Sequence, residues 1–224
     1  MKTGVLIHGC DVNADFWTRA VWGKPPHRVG RIPKGILVTH QENADVIVLG
    51  TGASVKDGLK EASYTKKYML DHWDRLTEFT EFQKLPATRL LKLREKMGGA
   101  IVEESSLNTQ QEVERAGEIF LDRDIERVIL VSTPTHLPRC IRDAFSVYEH
   151  ERFASLRHNL FAAPSDCRFW GDRTSDPVII EFPHKPGQEL NFRLAQLGGR
   201  IFEIPKDKMT DFLTAFNALI ERFV

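Results

Sequence analysis

Four short apolar runs, each rich in β-branched residues, constrain the fold of this chain more than any other feature. Their hydrophobicity is continuous rather than alternating, which is typical of strands that are buried on both faces. The runs are GVLIHG (4–9), DVIVLGTG (45–52), AIVEES (100–105) and RVILVST (127–133). Amphipathic helical patterns follow the last three runs, so the sequence predicts βαβ units and a parallel sheet.

Weaker signals continue this pattern to the end of the chain. Residues 74–99 hold an additional helical segment that ends at Gly98-Gly99, since glycine commonly terminates a helix. Beyond residue 150 the predicted elements are strands at 159–165, 177–182 and 200–205 and a helix at 206–223. We expect a single domain with a Rossmann-like α/β fold: an open, mainly parallel sheet flanked by helices on both faces, with a C-terminal α+β elaboration.

The composition excludes several classes of function. Lys+Arg and Asp+Glu both total 31, so the net charge is zero and no nucleic-acid partner is expected. The N-terminal apolar run is too short and too polar for a signal peptide or a membrane anchor. The three cysteines, Cys10, Cys140 and Cys167, are far apart, and their odd count favours a reducing cytoplasm. The histidines lack H-x-x-x-H spacing, so no metal site is predicted.

Polar or glycine-rich residues follow each of the four predicted strands. In an open parallel sheet, ligands bind outside the carboxyl ends of the strands, so these segments are the candidates for a binding site. They are His8-Gly9-Cys10, Gly50-Thr51-Gly52, Glu103-Glu104-Ser105-Ser106 and Ser132-Thr133-Pro134-Thr135-His136.

The segment after the third strand, VEESSLNTQQEVERAGEIF (102–120), combines a helix start with excess polarity. Thr109 and Glu112 have the spacing of a capping box, in which both side chains bond to amides of the first helical turn. The box does not account for Glu104, Ser106 or Asn108. Glu104 is a candidate general base, and the alternative is that it only solvates the loop.

The segment after the fourth strand, STPTHLPRC, predicts a helix start that binds anions. Thr135 is a natural N-cap, and Pro138 is tolerated in the first turn. His136 and Arg139 lie three residues apart, on the same side of that helix. A guanidinium beside helical amides suits a phosphate or carboxylate, and His136 is a candidate acid or base. The alternative is that Arg139 pairs with a neighbouring surface acid.

The remaining strand ends give weaker signals. GTGAS (50–54) lacks both the G-x-G-x-x-G spacing and the P-loop lysine, although its glycines would allow close approach of a ligand. Glu61 is most simply an exposed acid on a helix, and His8 a polar residue at the end of a strand. Nothing in the sequence around Cys10 indicates an activated nucleophile.

Three of these segments together carry a resemblance to a known family. They are DVIVLGTGAS…GLKEASYTKKYML, VEESSLNTQQEVERA and VILVSTPTHLPRCIRDAF, and in this order they resemble the YdcF-like family of bacterial proteins. The match covers about residues 45–146. The chain departs from the family in lacking a membrane anchor, in an insertion at about 74–97, and in its residues beyond about 150.

The resemblance implies a Rossmann-like fold with a polar pocket and a nucleotide-like ligand such as S-adenosylmethionine. Together, the resemblance and the strand-end segments predict ligand-binding residues at Gly50, Thr51, Gly52, Glu61, Ser106, Asn108, Thr109, Thr133, Thr135 and Arg139; Thr51 and Thr135 come from the strand-end segments alone. Two functional hypotheses follow. The first is an enzyme that acts on a small phosphorylated, nucleotide-like or carboxylated metabolite, with Glu104 and His136 as catalytic residues. The second is a non-catalytic protein that binds a nucleotide-like ligand with the same residues.

Overall fold

The computed structural model describes residues 1–166 and three helical, exposed positions near the C-terminus, Lys208, Asp211 and Thr214. The chain divides into two compact units, Met1–Ile179 and Ile180–Val224. The predicted strands at 177–182 and 200–205 lie outside the described residues. The helix predicted at 206–223 is described only at its three helical positions.

The described strands and helices alternate along the chain. The first half contains β1 (Thr3–Ile7), α1 (Trp17–Val21), β2 (Gly23–Lys24), β3 (Arg28–Val29), α2 (Arg31–Gln41), β4 (Val46–Gly50), β5 (Val55–Lys56), β6 (Leu59–Lys60) and α3 (Glu61–Asp71). The second half contains α4 (Thr80–Gln83), α5 (Ala87–Gly98), β7 (Ile101–Glu103), α6 (Thr109–Leu121), β8 (Arg127–Ser132), α7 (Leu137–Tyr148), α8 (Ala154–Arg157) and β9 (Leu160–Pro164). Short 3-10 turns occur at Trp73–Glu78 and Glu151–Phe153.

The central sheet has five strands in the order β7-β4-β1-β8-β9, and every neighbouring pair is parallel. This confirms the predicted Rossmann-like α/β fold, including the fifth strand. Two additional hairpins, β2-β3 and β5-β6, are antiparallel. The turn of β5-β6 contains Asp57 and Gly58, both with positive φ, as a tight hairpin requires.

Both faces of the sheet are buried, as the continuous apolar runs predicted. Along β1, Val5 and Ile7 join the core cluster that includes Ile32 and Ile36 of α2, whereas Leu6 joins the opposite cluster. Helices α6 and α7 supply most of that second cluster, including Val113, Ala116, Phe120, Cys140 and Ala144. Successive side chains of a strand point to opposite faces, so helices are required on both sides.

Several parts of the fold were not predicted. They include α1, the β2-β3 hairpin and α2. Helix α2, Arg31–Gln41, contains Pro33 and Gly35, which weaken a helical signal in the sequence. The helical pattern after the second apolar run spans residues 57–73, but its start forms the β5-β6 hairpin, and α3 begins at Glu61. Among the described residues, no helix is both long enough and apolar enough to cross a membrane.

Candidate active site

The strand order places the topological switch point of the sheet at the carboxyl ends of β1 and β8. In the sheet, β4 lies on one side of β1 and β8 lies on the other. The connections that lead to β4 and to β8 therefore run on opposite faces of the sheet, as they do at the ligand-binding switch point of Rossmann-like folds. His8-Gly9-Cys10 follows β1 directly, and Ser132 ends β8. The residues around these two strand ends form the candidate site.

A histidine–glutamate pair lies at the centre of this site. Nδ1 of His8 is 2.7 Å from Oε2 of Glu112, and Oε1 of Glu112 accepts a hydrogen bond from the amide of Gly9 at 3.0 Å. Both side chains are buried. Gly50 makes room for this carboxylate, because a Cβ atom there would lie 1.9 Å from Oε1 of Glu112.

The second ring nitrogen of His8 is in a different environment from Nδ1. Nε2 is buried and has no hydrogen-bond partner within the described residues. Burial acts to lower the pKa of His8, but the neighbouring Cys140 and Glu112 raise it, and the balance is a pKa of about 10. His8 is therefore an imidazolium at neutral pH, and Cys140 and Glu112 are the neighbours that stabilise its charge.

His136 packs against His8 but is held by its own hydrogen bonds. The two rings meet edge to face, with centroids 5.8 Å apart. Nδ1 of His136 lies 2.9 Å from Oγ of Ser132, and Nε2 lies 3.2 Å from Oγ1 of Thr109. Since each nitrogen already has a hydroxyl partner, this geometry favours a role in positioning His8.

Arg31, at the start of α2, crosses beneath the loop after β1. Its Nη1 donates to the carbonyl oxygens of His8, at 3.2 Å, and of Gly9. Its Nη2 donates to Oγ1 of Thr133 at 3.1 Å. Arg31 thus ties the end of β1 to the end of β8. No sequence motif indicated this residue, because α2 itself was not predicted.

Glu61 is buried beside Gly9 and is not the exposed helical acid that the sequence suggested. Its side chain is 2% exposed, and its Oε2 accepts a hydrogen bond from Oγ of Ser54 at 2.5 Å. Burial, together with the charge of Glu112, raises the pKa of Glu61 to about 8, against the opposing effects of Ser54 and Arg31. The side chain is mostly a neutral carboxylic acid at pH 7.

The polar residues after β7 form a closed hydrogen-bond network. Glu103 accepts hydrogen bonds from the amides and hydroxyl groups of Ser105 and Ser106. Oγ1 of Thr51 donates to the carbonyl oxygen of Ser106 at 2.7 Å, and the amide of Gly52 donates to the same atom at 3.0 Å. The end of β4 is thereby fixed to the loop after β7.

Glu104 and Asn108, both predicted in the site, make other contacts. The carboxylate of Glu104 accepts a hydrogen bond from the amide of Ser63 at 3.2 Å, and Asn108 is exposed. Asn108 is the N-cap of α6, and its side chain accepts from the amide of Gln111. The predicted capping box is therefore wrong: Thr109 is the first helical residue, and Glu112 binds His8 and Gly9.

The start of α7 also differs from the prediction. The N-cap is His136, without a side-chain cap, and not Thr135. Oγ1 of Thr135 instead lies 3.2 Å from Oγ1 of Thr133. The amides of His136 and Leu137 both donate to the carbonyl oxygen of Thr133, and Pro138 has no amide hydrogen. These amides are therefore not free to bind an anion. An anion at this position would have to be bound by side chains.

Several buried ionisable groups lie together around the ends of β1 and β8. They include two carboxyl groups, two imidazoles, one guanidinium and one thiol, namely Glu61, Glu112, His8, His136, Arg31 and Cys140. Within residues 1–166, no group of three or more His, Cys, Asp or Glu side chains is arranged to hold a metal ion.

In comparisons with known proteins, no family model, no curated protein and no solved structure matches the chain.

Proposed function

We propose that this protein is an enzyme that acts on a small anionic metabolite, phosphorylated, nucleotide-like or carboxylated, at the carboxyl ends of β1 and β8. One observation carries the proposal: Nδ1 of His8 is bound to a buried carboxylate, while Nε2 is buried without a partner. A buried donor without an acceptor costs about 1–3 kcal/mol. A substrate oxygen at Nε2 recovers that energy.

The pair of His8 and Glu112 has the roles of a general acid and its positioning residue. The carboxylate fixes the ring and stabilises the imidazolium, as in other carboxylate–imidazole pairs. With a pKa of about 10, His8 enters the reaction protonated. It donates its Nε2 proton to a substrate oxygen that gains negative charge, such as that of a leaving group.

The other residues hold this geometry or bind the anion. His136 supports the ring of His8 from the side, and Thr109 fixes His136. Arg139, half-buried in the first turn of α7, contributes positive charge to the anionic end of the substrate. Glu104 has a structural role in this proposal, because its carboxylate caps the amide of Ser63.

The test is turnover of a metabolite panel by the wild type and by His8→Gln. The panel contains phosphate monoesters, nucleotides, S-adenosylmethionine and small carboxylates. We expect the wild type to convert at least one compound and His8→Gln to convert it at least 100-fold more slowly, the lower range of general acid–base catalysis. His158→Gln is the matched control, since His158 is exposed, and should retain wild-type turnover.

Circular dichroism of both variants separates loss of chemistry from loss of fold. Wild-type turnover by a folded His8→Gln would contradict the role of His8. Binding of panel compounds without conversion of any would contradict the enzyme and support a protein that only binds its ligand.

A further inference from the structure

We propose that Glu61 binds the substrate as a neutral carboxylic acid, whose Oε1–H donates a hydrogen bond to an anionic oxygen beside Gly9. This inference rests on the proposed function, because it concerns the same anionic substrate. It identifies the substrate as a compound with an anionic group, a phosphate or a carboxylate, that accepts a hydrogen bond from Glu61.

Ser54 binds one carboxyl oxygen of Glu61. Oγ of Ser54 accepts from the amide of Val12 at 3.1 Å and lies 2.5 Å from Oε2 of Glu61. With Oε2 engaged by Ser54, we place the carboxyl proton on Oε1. No hydrogen bond to Oε1 is formed within the described residues.

Oε1 of Glu61 lies beside Gly9, the residue that follows His8. A Cβ atom on Gly9 would lie 2.1 Å from Oε1, so only glycine allows the carboxyl group to lie there. On the other side, the Gly9 amide donates to Oε1 of Glu112. The carboxyl groups of Glu61 and Glu112 thus flank one glycine, and His8 precedes it.

The charges around Glu61 favour its neutral form. Glu112 on α6 and Asp11 in the loop after β1 disfavour a second negative charge, whereas Arg31 on α2 favours it. Cys10 lies in the same loop, and burial raises the pKa of its thiol. The ionisable groups on and after β5, β6 and β7 form hydrogen bonds elsewhere. Lys56 donates to the carbonyl oxygen of Val12, and Lys60 donates to that of Glu104. The carboxylate of Glu103 accepts from Ser105 and Ser106, and that of Glu104 accepts from the Ser63 amide.

A carboxylic acid in this position makes anion binding depend on pH. Neutral Glu61 donates a hydrogen bond, as a protonated carboxylic acid does in an oxyanion site. Ionised Glu61 loses the proton and repels the anion. With its pKa at about 8, the side chain is roughly 90% ionised at pH 9, so affinity should fall about tenfold between pH 6.5 and pH 9.

Sulfate is the probe for this test, because it resembles phosphate and keeps its charge over this range. Calorimetry at pH 6.5 and pH 9 should show about tenfold weaker sulfate binding by the wild type at the higher pH. Glu61→Gln keeps an N–H donor that does not titrate, so it should bind with wild-type affinity at pH 6.5 and with nearly the same affinity at pH 9. Glu61→Ala should bind weakly at both.

Glu149→Gln is the matched control, since Glu149 is exposed at the end of α7, and it should show the wild-type pH dependence. Absence of sulfate binding by the wild type at pH 6.5 would overturn the anion site of the proposed function. Wild-type binding that is equal at both pH values, or a Glu61→Gln variant that keeps the tenfold decrease, would overturn the assignment of Glu61 alone.

Discussion

The ends of β7 and β1 are both rich in polar residues, but they use them in opposite ways. After β7, the Glu103 carboxylate accepts four hydrogen bonds from two serines, and Asn108 caps a helix. After β1, Nε2 of His8 has no partner in the described part of the chain. The hydrogen bonds of the first region are satisfied within that region, whereas the second has a buried ring nitrogen without a hydrogen-bond partner.

This difference shows that polar density in a sequence does not by itself locate a binding site. Loops at strand ends need many hydrogen bonds for their own backbone amides, and serine, asparagine and glutamate serve that need locally. The feature that distinguishes the end of β1 is instead a buried ring nitrogen of His8 without a hydrogen-bond partner. Such an atom can be identified only after the fold has placed its neighbours.

Glu112→Gln should have the largest effect on stability and so tests the comparison most severely. The substitution removes one charge of a buried pair, which typically costs about 3–5 kcal/mol. Glu104→Gln, after β7, changes a half-buried carboxylate that accepts one amide hydrogen bond, and it should cost about 1 kcal/mol. Urea denaturation at pH 7 measures both free energies of unfolding.

Equal losses of unfolding free energy in Glu112→Gln and Glu104→Gln would contradict the difference between the two strand ends, because both carboxylates would then contribute equally to stability. The same experiment with Glu112→Asp sharpens it. Aspartate keeps the charge but is one methylene shorter, so it should recover part of the stability only if contact with His8 matters as well as charge.

The pH dependence of stability should be concentrated at the end of β1. The folded-state pKa values of Glu61 and His8 are raised to about 8 and about 10, from 4.5 and 6.5. Each group therefore contributes stability that is fully present below its unfolded pKa and is lost as the pH rises through its folded pKa. Both losses overlap between pH 6.5 and pH 8, where each group should lower the free energy of unfolding by about 1.4 kcal/mol per pH unit.

Variants separate the two contributions in denaturation experiments from pH 5 to pH 9.5. In Glu61→Gln, the free energy of unfolding should be nearly constant below pH 6.5, and its slope between pH 6.5 and pH 8 should be half that of the wild type. In His8→Gln, the slope between pH 6.5 and pH 8 should also be halved, and the free energy of unfolding should be nearly constant above pH 8. A wild-type stability that is constant from pH 6.5 to pH 8 would show that neither side chain keeps its proton in the folded protein.

The sheet could be predicted from the sequence because its signal is local. Runs such as VIVLG and VILVS need partners on both faces, and that requirement is satisfied by few arrangements other than a parallel sheet with helices on both sides. Helix α2 was missed because Pro33 and Gly35 interrupt its pattern, although Ile32 and Ile36 lie one turn apart on its buried face.

The strand ends selected from the sequence lie together at one edge of the sheet, but the sequence did not identify the contact between His8 and Glu112. His8 and Glu112 are 104 positions apart in the chain, and Glu112 fitted a capping box that explained it locally. Arg31 lies on the helix that was missed. The signal that could have found His8 was its position directly after the first strand, since that strand lies at the switch point of the Rossmann-like order.

Asn108→Ala gives the smallest expected effect and tests the local side of the comparison. Asn108 accepts from the amide of Gln111 at 3.0 Å and caps α6, so its loss should lower the free energy of unfolding by about 1 kcal/mol. Asn108→Asp should retain stability, because aspartate is an equally good cap and favours the helix dipole. Neither change should alter sulfate affinity if the loop after β7 serves only its own hydrogen bonds. A loss of affinity in a stable Asn108→Asp protein would place this loop in the binding site and remove the distinction between the two strand ends.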